Sequence, residues 1–586
     1  MNARGYDTLI RRGLVFSGHD APPRHADVGI RNGRVVVVSE QALPEVGAKE
    51  VIDARGHWVM PGFIDFHTHY DAEIEADPSL SESVRHGVTT IVMGSCSLGA
   101  AIGEPEDIAD IFCRVEAVPR EHMLPIMERV KDWNTLTEYF AHLEDIPLGP
   151  NVAAFVGHSN LRMHVMGFHR SVDPKVRPTP EELKTMCTLL EEGLDAGYLG
   201  LSVQTLPWDK LDGNRERSKP LPSYFATWSE FRTFTKILRR RGRIFQGVPN
   251  LVKKWNVALF LWESAGLFRR PLKTTIISIM DLIANRNIYW AIPLFPRFFN
   301  RFLRADFRFQ ALPNPFEVWA DGMDLVIFEE FQAGTQAMHL VDMGQRTELI
   351  QTDSFRTEFR KEWSRLFSPR VYHRNFHHSE ILACPDGTVV GRSFSSIAEE
   401  KGQHPVDAFL DLVATHGRAL RWHSMIANDR KKPLERIMSH PDSLIGFSDA
   451  GAHLRNMAFY NFPLKMLAQV QQAQSEPRPF MSVARAIHRL TGEISTWFGL
   501  DVGYLEEGCI ADIVVVNPEH LHEAMNRPEE APMPAFGGLS RLVNRNPNAV
   551  PAVFIRGQRA IFDGRPTEEL GTQSGFGRVL RAKDRL

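Results

Sequence analysis

The stretch that decides the fold is PGFIDFHTHYD, residues 61–71, in which a short apolar run ends in two histidines. Side chains at positions i and i+2 of a β-strand point to the same side. If 62–66 form a strand, His67 and His69 leave its end together, in the arrangement that proteins use to bind zinc. Chance is the alternative, since the chain has 23 histidines in 586 residues and a spacing motif is a hypothesis until its setting supports it.

The overall composition is that of an ordinary globular protein. Hydrophobic residues make up 43% of the chain, charged residues 24%, and the net charge is -3, which does not favour nucleic acid or an acidic membrane as a partner. No apolar run reaches the length of about 18 residues that predicts a transmembrane segment, and the N-terminus does not resemble a signal peptide. Five scattered cysteines suit a reducing compartment, so we expect a cytoplasmic protein and leave a homo-oligomer open.

Both ends of the chain have the pattern of short β-strands. Segments such as ADVGIRNGRVVVVSE (26–40) and GCIADIVVVNPEHL (508–521) have apolar runs or alternate apolar with polar residues, and lie between turn residues. We therefore expect 1–60 and 500–586 to build one small composite β-sandwich domain.

The middle of the chain, 61–499, alternates apolar strands with amphipathic helices, which implies a parallel sheet and an α/β fold. We expect a (β/α)8 TIM-like barrel in which two strands are not located, with functional residues at the carboxyl ends of the strands. The candidate strands after the first are 89–96, 151–158, 198–204, 243–248, 306–312 and 443–451.

The region from about 249 to 315 interrupts this alternation and is rich in aromatic residues and arginine, as in NIYWAIPLFPRFFNRFLRADFRF (287–309). We expect an insertion that packs over the barrel mouth. An apolar wall for an acyl chain and a surface that touches lipid are the alternatives.

Five motifs spread over nearly the whole chain resemble those of the amidohydrolase superfamily, most closely its N-acyl-D-amino-acid deacylase (D-aminoacylase) branch. The resemblance implies a metal-dependent hydrolase of carbon–nitrogen bonds other than peptide bonds, with zinc as the cofactor. The motifs are MPGFIDFHTHYD (60–71), HGVTTIVMGSCSLG (86–99), VGHSNLRMHVMG (156–167), GFSDAGAH (446–453) and GYLEEGCIADIVVVNP (503–518).

The same resemblance implies roles for individual residues. His67, His69 and Cys96 match metal ligands, and Asp449 matches the general acid/base, which can also bind metal. A bound metal lowers the pKa of its water toward about 7 and polarises the amide carbonyl, and a nearby carboxylate can accept the water's proton and pass it to the departing amine. The alternatives are that Cys96 is a small buried apolar residue and that Asp449 only caps a turn.

Three further residues in these motifs are candidates for substrate contact. Arg162 could bind a substrate carboxylate through two hydrogen bonds or form a structural ion pair. His158 could contact substrate or metal, or support the core. His453 could contact substrate or orient Asp449.

The sequence departs from the family where two further histidine ligands are expected, at the ends of strands five and six. Val248 and, by our alignment, Leu312 stand there, and the bridging lysine of other branches is absent from strand four (198–204). One or two zinc ions are compatible with the chain, and one is favoured, held by His67, His69 and Asp449 with or without Cys96. Alternatively, histidines from elsewhere complete the site: His373, His377, His378, His416 and His423.

The favoured function is therefore deacylation of an N-acyl (D-)amino acid or a related small N-acyl amide, with a long acyl chain preferred because of the hydrophobic region. Hydrolysis of a cyclic amide is one alternative. A non-catalytic binding or scaffold protein is the other, since a site that has lost ligands can lose catalysis.

Overall fold

A computed structural model describes residues 5–253, 255–365, 367–522, 525 and 527–582 of the chain. Strands dominate both ends and alternate with helices between them, so the fold is mixed α/β, as predicted. None of the helices in these ranges is long and apolar enough to cross a membrane.

Strands from both ends of the chain share one nine-stranded sheet. The N-terminal and C-terminal parts meet where Trp58–Pro61 pairs antiparallel with Ile513–Val516, and the sheet buries a separate apolar cluster that includes Val28, Val59 and Phe554. The order across the sheet is Arg565–Pro566, Gln558–Phe562, Ala552–Ile555, Ile513–Val516, Trp58–Pro61, Thr8–Val15, Arg24–Arg31 and Arg34–Ser39, with Glu50–Asp53 also paired to Thr8–Val15.

In the middle of the chain, eight strand positions pair in parallel, each with the next. The eighth, Phe447–Ala450, pairs with the first, His67–Thr68, so the strands close into a ring. The carboxyl ends of these strands consequently lie on the same side. In chain order the positions are Phe63–Asp65 with His67–Thr68, Val88–Met93, Asn151–Ala154 with Val156–Gly157, Gly200–Gln204, Ile244–Val248, Lys273–Ile276, Asp306–Ala311, and Ser443–Ile445 with Phe447–Ala450.

Helices fill the connections between these strands. Pro180–Ala196 shows why they form: Thr179 and Glu182 build a capping box at its start, Gly197 adopts a left-handed conformation at its end, and its apolar face is buried. The α-helices of the connections and of the segment after the eighth position are Glu73–Ala76, Ser81–Val84, Pro105–Phe112, Arg120–Val130, Leu136–Asp145, His158–Met166, Phe168–Ser171, Pro180–Ala196, Trp228–Arg241, Asn256–Ser264, Ile288–Ala291, Leu294–Phe302, Phe462–Ala473, Val483–Leu490 and Gly492–Phe498.

The sixth strand corrects the sequence-based alignment. Lys273–Ile276 pairs with Ile244–Val248 on one side and with Asp306–Ala311 on the other, so the strand that ends before Leu312 is the seventh and not the sixth. The prediction missed Lys273–Ile276 because four residues are too few for a periodic signal. The predicted insertion at 249–315 thus contains two strands of the ring.

A longer excursion lies between the seventh and eighth positions. It carries an antiparallel sheet of Phe316–Asp321, Arg421–Ala427 and Ser379–Ala383 around buried, mutually packed rings of Phe328, Phe409 and similar residues. Its α-helices are Gln332–His339, Met343–Gln351, Asp353–Trp363, Phe394–Lys401, Pro405–His416 and Lys431–Ser439. A separate hairpin joins Glu529–Met533 to Leu539–Val543.

Candidate metal centre

The junction of the first and last strand positions brings three predicted residues together. The backbone N–H of His69 donates to the carbonyl of Ala450 over 2.8 Å, which places Asp449 beside both histidines. Asp449 Oδ1 lies 3.5 Å from His67 Nε2 and 3.6 Å from His69 Nε2. Both imidazoles are buried, whereas the Asp449 side chain is 14% exposed and so forms the accessible side of the cluster.

Cys96 joins this cluster from the end of the second strand. Its Sγ lies 3.3 Å from His67 Nε2, and one ligand atom from each of His67, His69 and Cys96 lies within 4.8 Å of the others. The φ angles of Cys96, Ser97 and Asp449 are 55°, 71° and 56°, a region that non-glycine residues rarely occupy and that is found at functional sites. The hydrogen bond from the Cys96 N–H to Gln246 Oε1, at 3.2 Å, supports the turn.

The protonation of the imidazoles suits metal binding. His67 Nδ1 lies 2.6 Å from Gln310 Oε1; because an amide oxygen only accepts, the proton belongs on Nδ1 and the lone pair of Nε2 faces Cys96 and Asp449. Burial lowers the pKa of His67 to about 4 and that of His69 to about 3, so both are neutral at neutral pH, the form that binds metals.

The pKa of Cys96 shifts in the opposite direction. Burial, together with the nearby carboxylates of Glu116 and Asp449, raises the pKa of its thiol well above the usual value. A cation at this position would offset these effects and favour the thiolate. His67, His69 and Cys96 are close enough to share an ion, and the Asp449 carboxylate lies beside both imidazoles. Nitrogen, sulfur and oxygen donors of these kinds are the ligands that zinc takes in proteins.

Glu116 is a buried residue of this site that the sequence did not reveal. Its Oε1 lies 3.5 Å from His69 Nδ1 and its Oε2 lies 3.8 Å from His453 Nε2. Burial, with the charges of Asp449 and other carboxylates, raises the pKa of Glu116 well above its ordinary value. The residue sits in a connection, within CRVEAVPR (113–120), where no motif or periodicity distinguishes it from any other loop glutamate.

His453, the candidate for orienting Asp449 or contacting substrate, lies beside the cluster. Its backbone N–H donates to the carbonyl of Glu116 over 2.5 Å, and its φ of 49° is again in the left-handed region. Burial lowers the pKa of its imidazole to about 4, so it is neutral. His453 thus connects the turn after the eighth strand position to the connection that carries Glu116.

His158 and Arg162 belong to a second cluster and not to the metal centre. Arg162 Nη1 lies 2.7 and 2.6 Å from the two carboxylate oxygens of Glu230, and His158 Nε2 lies 3.2 Å from Glu230 Oε1. His158 Nδ1 also lies 3.0 Å from Ser223 Oγ. Arg162 and His158 are fully buried, and both contact Glu230. Of the alternatives that the sequence left open for Arg162, the structure shows the ion pair.

The histidines considered as replacement ligands lie in the excursion. His373 Nε2 lies 2.8 Å from the carbonyl oxygen of Met425, and His423 Nε2 lies 3.9 Å from Glu317. Within the ranges that the structure describes, only the His67, His69 and Cys96 group brings three histidine, cysteine or carboxylate ligands close enough to share an ion. The remaining candidates, His377, His378 and His416, are not part of it.

Val248 ends the fifth strand, as predicted, and offers no ligand. Gln310 of the seventh strand accepts the hydrogen bond from His67 Nδ1. Gln246 of the fifth strand packs beside the same imidazole, and its Nε2 donates to Ser95 Oγ over 3.0 Å. These amides hold the imidazole without replacing the missing histidines as zinc ligands.

Comparison with known proteins finds relatives that match nearly the whole chain. No family model matches the chain. An uncharacterized protein of Mycobacterium tuberculosis is 46% identical over 98% of this chain and 96% of its own length. The N-acyl-D-aspartate deacylase of Alcaligenes xylosoxydans xylosoxydans is 24% identical over 96% of this chain and 93% of its own length.

The fold is also found in a solved structure. The N-acyl-D-glutamate deacylase of Bordetella bronchiseptica, complexed with zinc and a phosphonate inhibitor that mimics the tetrahedral intermediate, matches 99% of this chain and 100% of its own with a TM-score of 0.63. The sequence identity of that pair is 22%, so this likeness concerns the fold.

Proposed function

The chain belongs to the amidohydrolase superfamily and is a hydrolase of carbon–nitrogen bonds other than peptide bonds, and we propose that it removes the acyl group from an N-acyl-D-amino acid with the help of zinc. The observation that carries the proposal is the convergence of His67, His69, Cys96 and Asp449 at the junction of the first and last strand positions. The deacylase names of the relatives support the class of substrate.

We propose that His67, His69 and Asp449 hold one zinc ion, with Cys96 as a further ligand. When bound, the ion lowers the pKa of water and polarises the amide carbonyl of the substrate. A single ion is favoured because Val248 ends the fifth strand and Ile276 ends the sixth, so neither strand end supplies a histidine.

Side chains of the protein then transfer the proton and hold the imidazoles in their orientation. Asp449 is the ligand with exposed surface, so its carboxylate can accept a proton from the attacking water and return it to the nitrogen of the leaving amine. Gln310 fixes the tautomer of His67, and Glu116 faces the Nδ1 atom of His69 and the ring of His453. These contacts hold the imidazoles in place while the proton moves.

The strand pairings support the predicted organisation into a (β/α)8 barrel over 61–499 and a composite β-sandwich domain from 1–60 and 500–586. Closure by the pairing of His67–Thr68 with Phe447–Ala450 agrees with a barrel, and the shared terminal sheet agrees with one composite domain. A barrel places Asp449 and Cys96 at the carboxyl ends of its strands, where active sites of this architecture lie.

The test is hydrolysis of paired substrates by the zinc-loaded chain. N-acetyl and N-dodecanoyl derivatives of D- and L-aspartate, glutamate and leucine would be compared by quantifying the released amino acid, with Asp449→Asn as the control. Release from the D-series by the natural chain alone supports the proposal, and faster release from the dodecanoyl series supports an acyl-chain site. Exclusive hydrolysis of hydantoin or dihydrouracil would favour a cyclic amidase, and no hydrolysis of either class would favour a scaffold.

A further inference from the structure

Exposed apolar side chains concentrate in one part of the molecule. Among the described residues, eleven of the nineteen large hydrophobic side chains that are exposed lie between 251 and 302. We call the following group the aromatic surface: Trp262, Leu267, Phe268, Trp290, Leu294, Phe295, Phe298 and Phe302. Exposed apolar residues that occur singly need no explanation, but such a concentration marks an interaction site.

The helix Leu294–Phe302 forms the centre of this surface. Leu294, Phe295, Phe298 and Phe302 are 55%, 62%, 52% and 60% exposed, and at 100° per residue they share a sector of about 100°. Pro296 lies on the opposite side and is buried. The helix therefore turns an aromatic stripe to solvent and packs its other side on the protein.

The connection after Asn256–Ser264 extends the same surface. The N–H of Gly266 donates to the carbonyl of Leu303 over 2.9 Å, which fastens this connection to the end of the helix. Phe268 is 99% exposed and Trp262 is 52% exposed. The aromatic surface thus includes side chains from two consecutive connections of the ring.

The charge around the aromatic surface is strongly positive. Residues 249–305 contain nine Lys or Arg and two acids, in a chain whose net charge is -3. Both acids, Glu263 and Asp281, are buried and paired with arginine. Arg297 and Arg301 are exposed and, by helical position, lie along one border of the aromatic stripe. Arg304, which is also exposed, follows two residues after the end of the helix.

We propose that the aromatic surface docks on the surface of an anionic lipid bilayer. A helix with an aromatic face and a bordering row of arginines is the arrangement that buries apolar side chains at the acyl boundary while cations meet the headgroups. A symmetric contact with a second copy would set the same positive region against itself, which opposes that occupant. The docking does not depend on the proposed reaction.

The experiment is flotation of the full chain with vesicles. Vesicles of phosphatidylcholine with about 30% phosphatidylglycerol would be compared with pure phosphatidylcholine, at low salt and at 0.5 M NaCl, where surface charges are screened. We expect binding to the anionic vesicles that salt weakens. Replacing the stripe (Phe295→Ser, Phe298→Ser, Phe302→Ser) should lower the partition coefficient at least about 10-fold.

Phe367→Ser is the matched control, because Phe367 is 97% exposed but lies outside the aromatic surface, and its binding should equal that of the natural chain. The reversal Arg297→Glu, Arg301→Glu, Arg304→Glu should abolish the preference for anionic vesicles. Far-ultraviolet circular dichroism and zinc content would show that each variant is folded.

Failure of the natural chain to float, or equal binding by the stripe variant, would overturn the proposal. A dimer that the stripe variant dissociates, without vesicle binding, would assign the surface to a second copy.

Discussion

The metal centre and the Arg162–His158–Glu230 cluster are both buried polar groups, and both were expected from one set of motifs. They differ in charge balance. In the second cluster, the arginine neutralises the glutamate at 2.6 Å. In the metal centre, the described ion pairs of Asp449 and Glu116 involve only histidines, whose pKa values are lowered. Carboxylates away from water are costly without a counter-charge, so we expect a cation at the first cluster and not at the second.

The largest effect should come from removing the imidazoles of the metal centre. His67→Ala/His69→Ala should lower kcat/KM by roughly 10³-fold or more, because the ion and its activated water are lost together. Zinc per chain, measured by inductively coupled plasma mass spectrometry, should fall from about one to near zero by the same reasoning. Two ions in the natural chain would contradict the single-ion proposal.

The next effect concerns stability. Glu230→Gln leaves the buried guanidinium of Arg162 without its counter-charge and should lower the free energy of unfolding by about 3–5 kcal/mol, as measured by urea denaturation. The double change Arg162→Met/Glu230→Met should cost less, because it removes both charges. Zinc content of the folded variants should not change; loss of zinc would connect this cluster to the metal centre.

A smaller effect is expected at the edge of the metal centre. Glu116→Gln keeps the shape of the side chain but removes the carboxyl group that faces His69 and His453, and should weaken zinc affinity by about 10–100-fold. The measurement is competition with a chelator of known affinity, which does not rely on activity. Glu121→Gln, an exposed glutamate five residues away, is the control, and equal affinities in the two variants would assign Glu116 a purely structural role.

The smallest effect should come from the histidines of the excursion. His377→Ala/His378→Ala should leave zinc content and kcat/KM unchanged, because neither residue belongs to the ligand group of the described structure. Loss of zinc in this variant would restore the alternative in which distant histidines complete the site.

Much of the site could be predicted because its parts lie at strand ends with recognisable motifs. His67 and His69 were predicted on one segment and Cys96 and Asp449 on two others. The structure brings His67, His69 and Cys96 close together and places Asp449 beside both imidazoles. Glu116 could not be predicted, since a loop glutamate carries no periodic signal. For Arg162 the sequence left substrate contact and a structural ion pair open. Its partner, Glu230, is 68 residues away in the chain, and pairing at that distance is not encoded locally.

The sequence by itself determined the α/β alternation, the β-structure of both ends and the position of the histidine pair after the first strand, because periodicity and turn residues act over a few neighbours. Only the tertiary structure decided which strand is sixth, where the long excursion begins, and which polar clusters hold a compensating charge. Those features depend on strand pairing and on burial between segments far apart in the chain. Lys273–Ile276, only four residues long, is recognisable as a strand because it pairs with a strand on each side. Glu116 is recognisable as part of the site because it is buried beside His69 and His453.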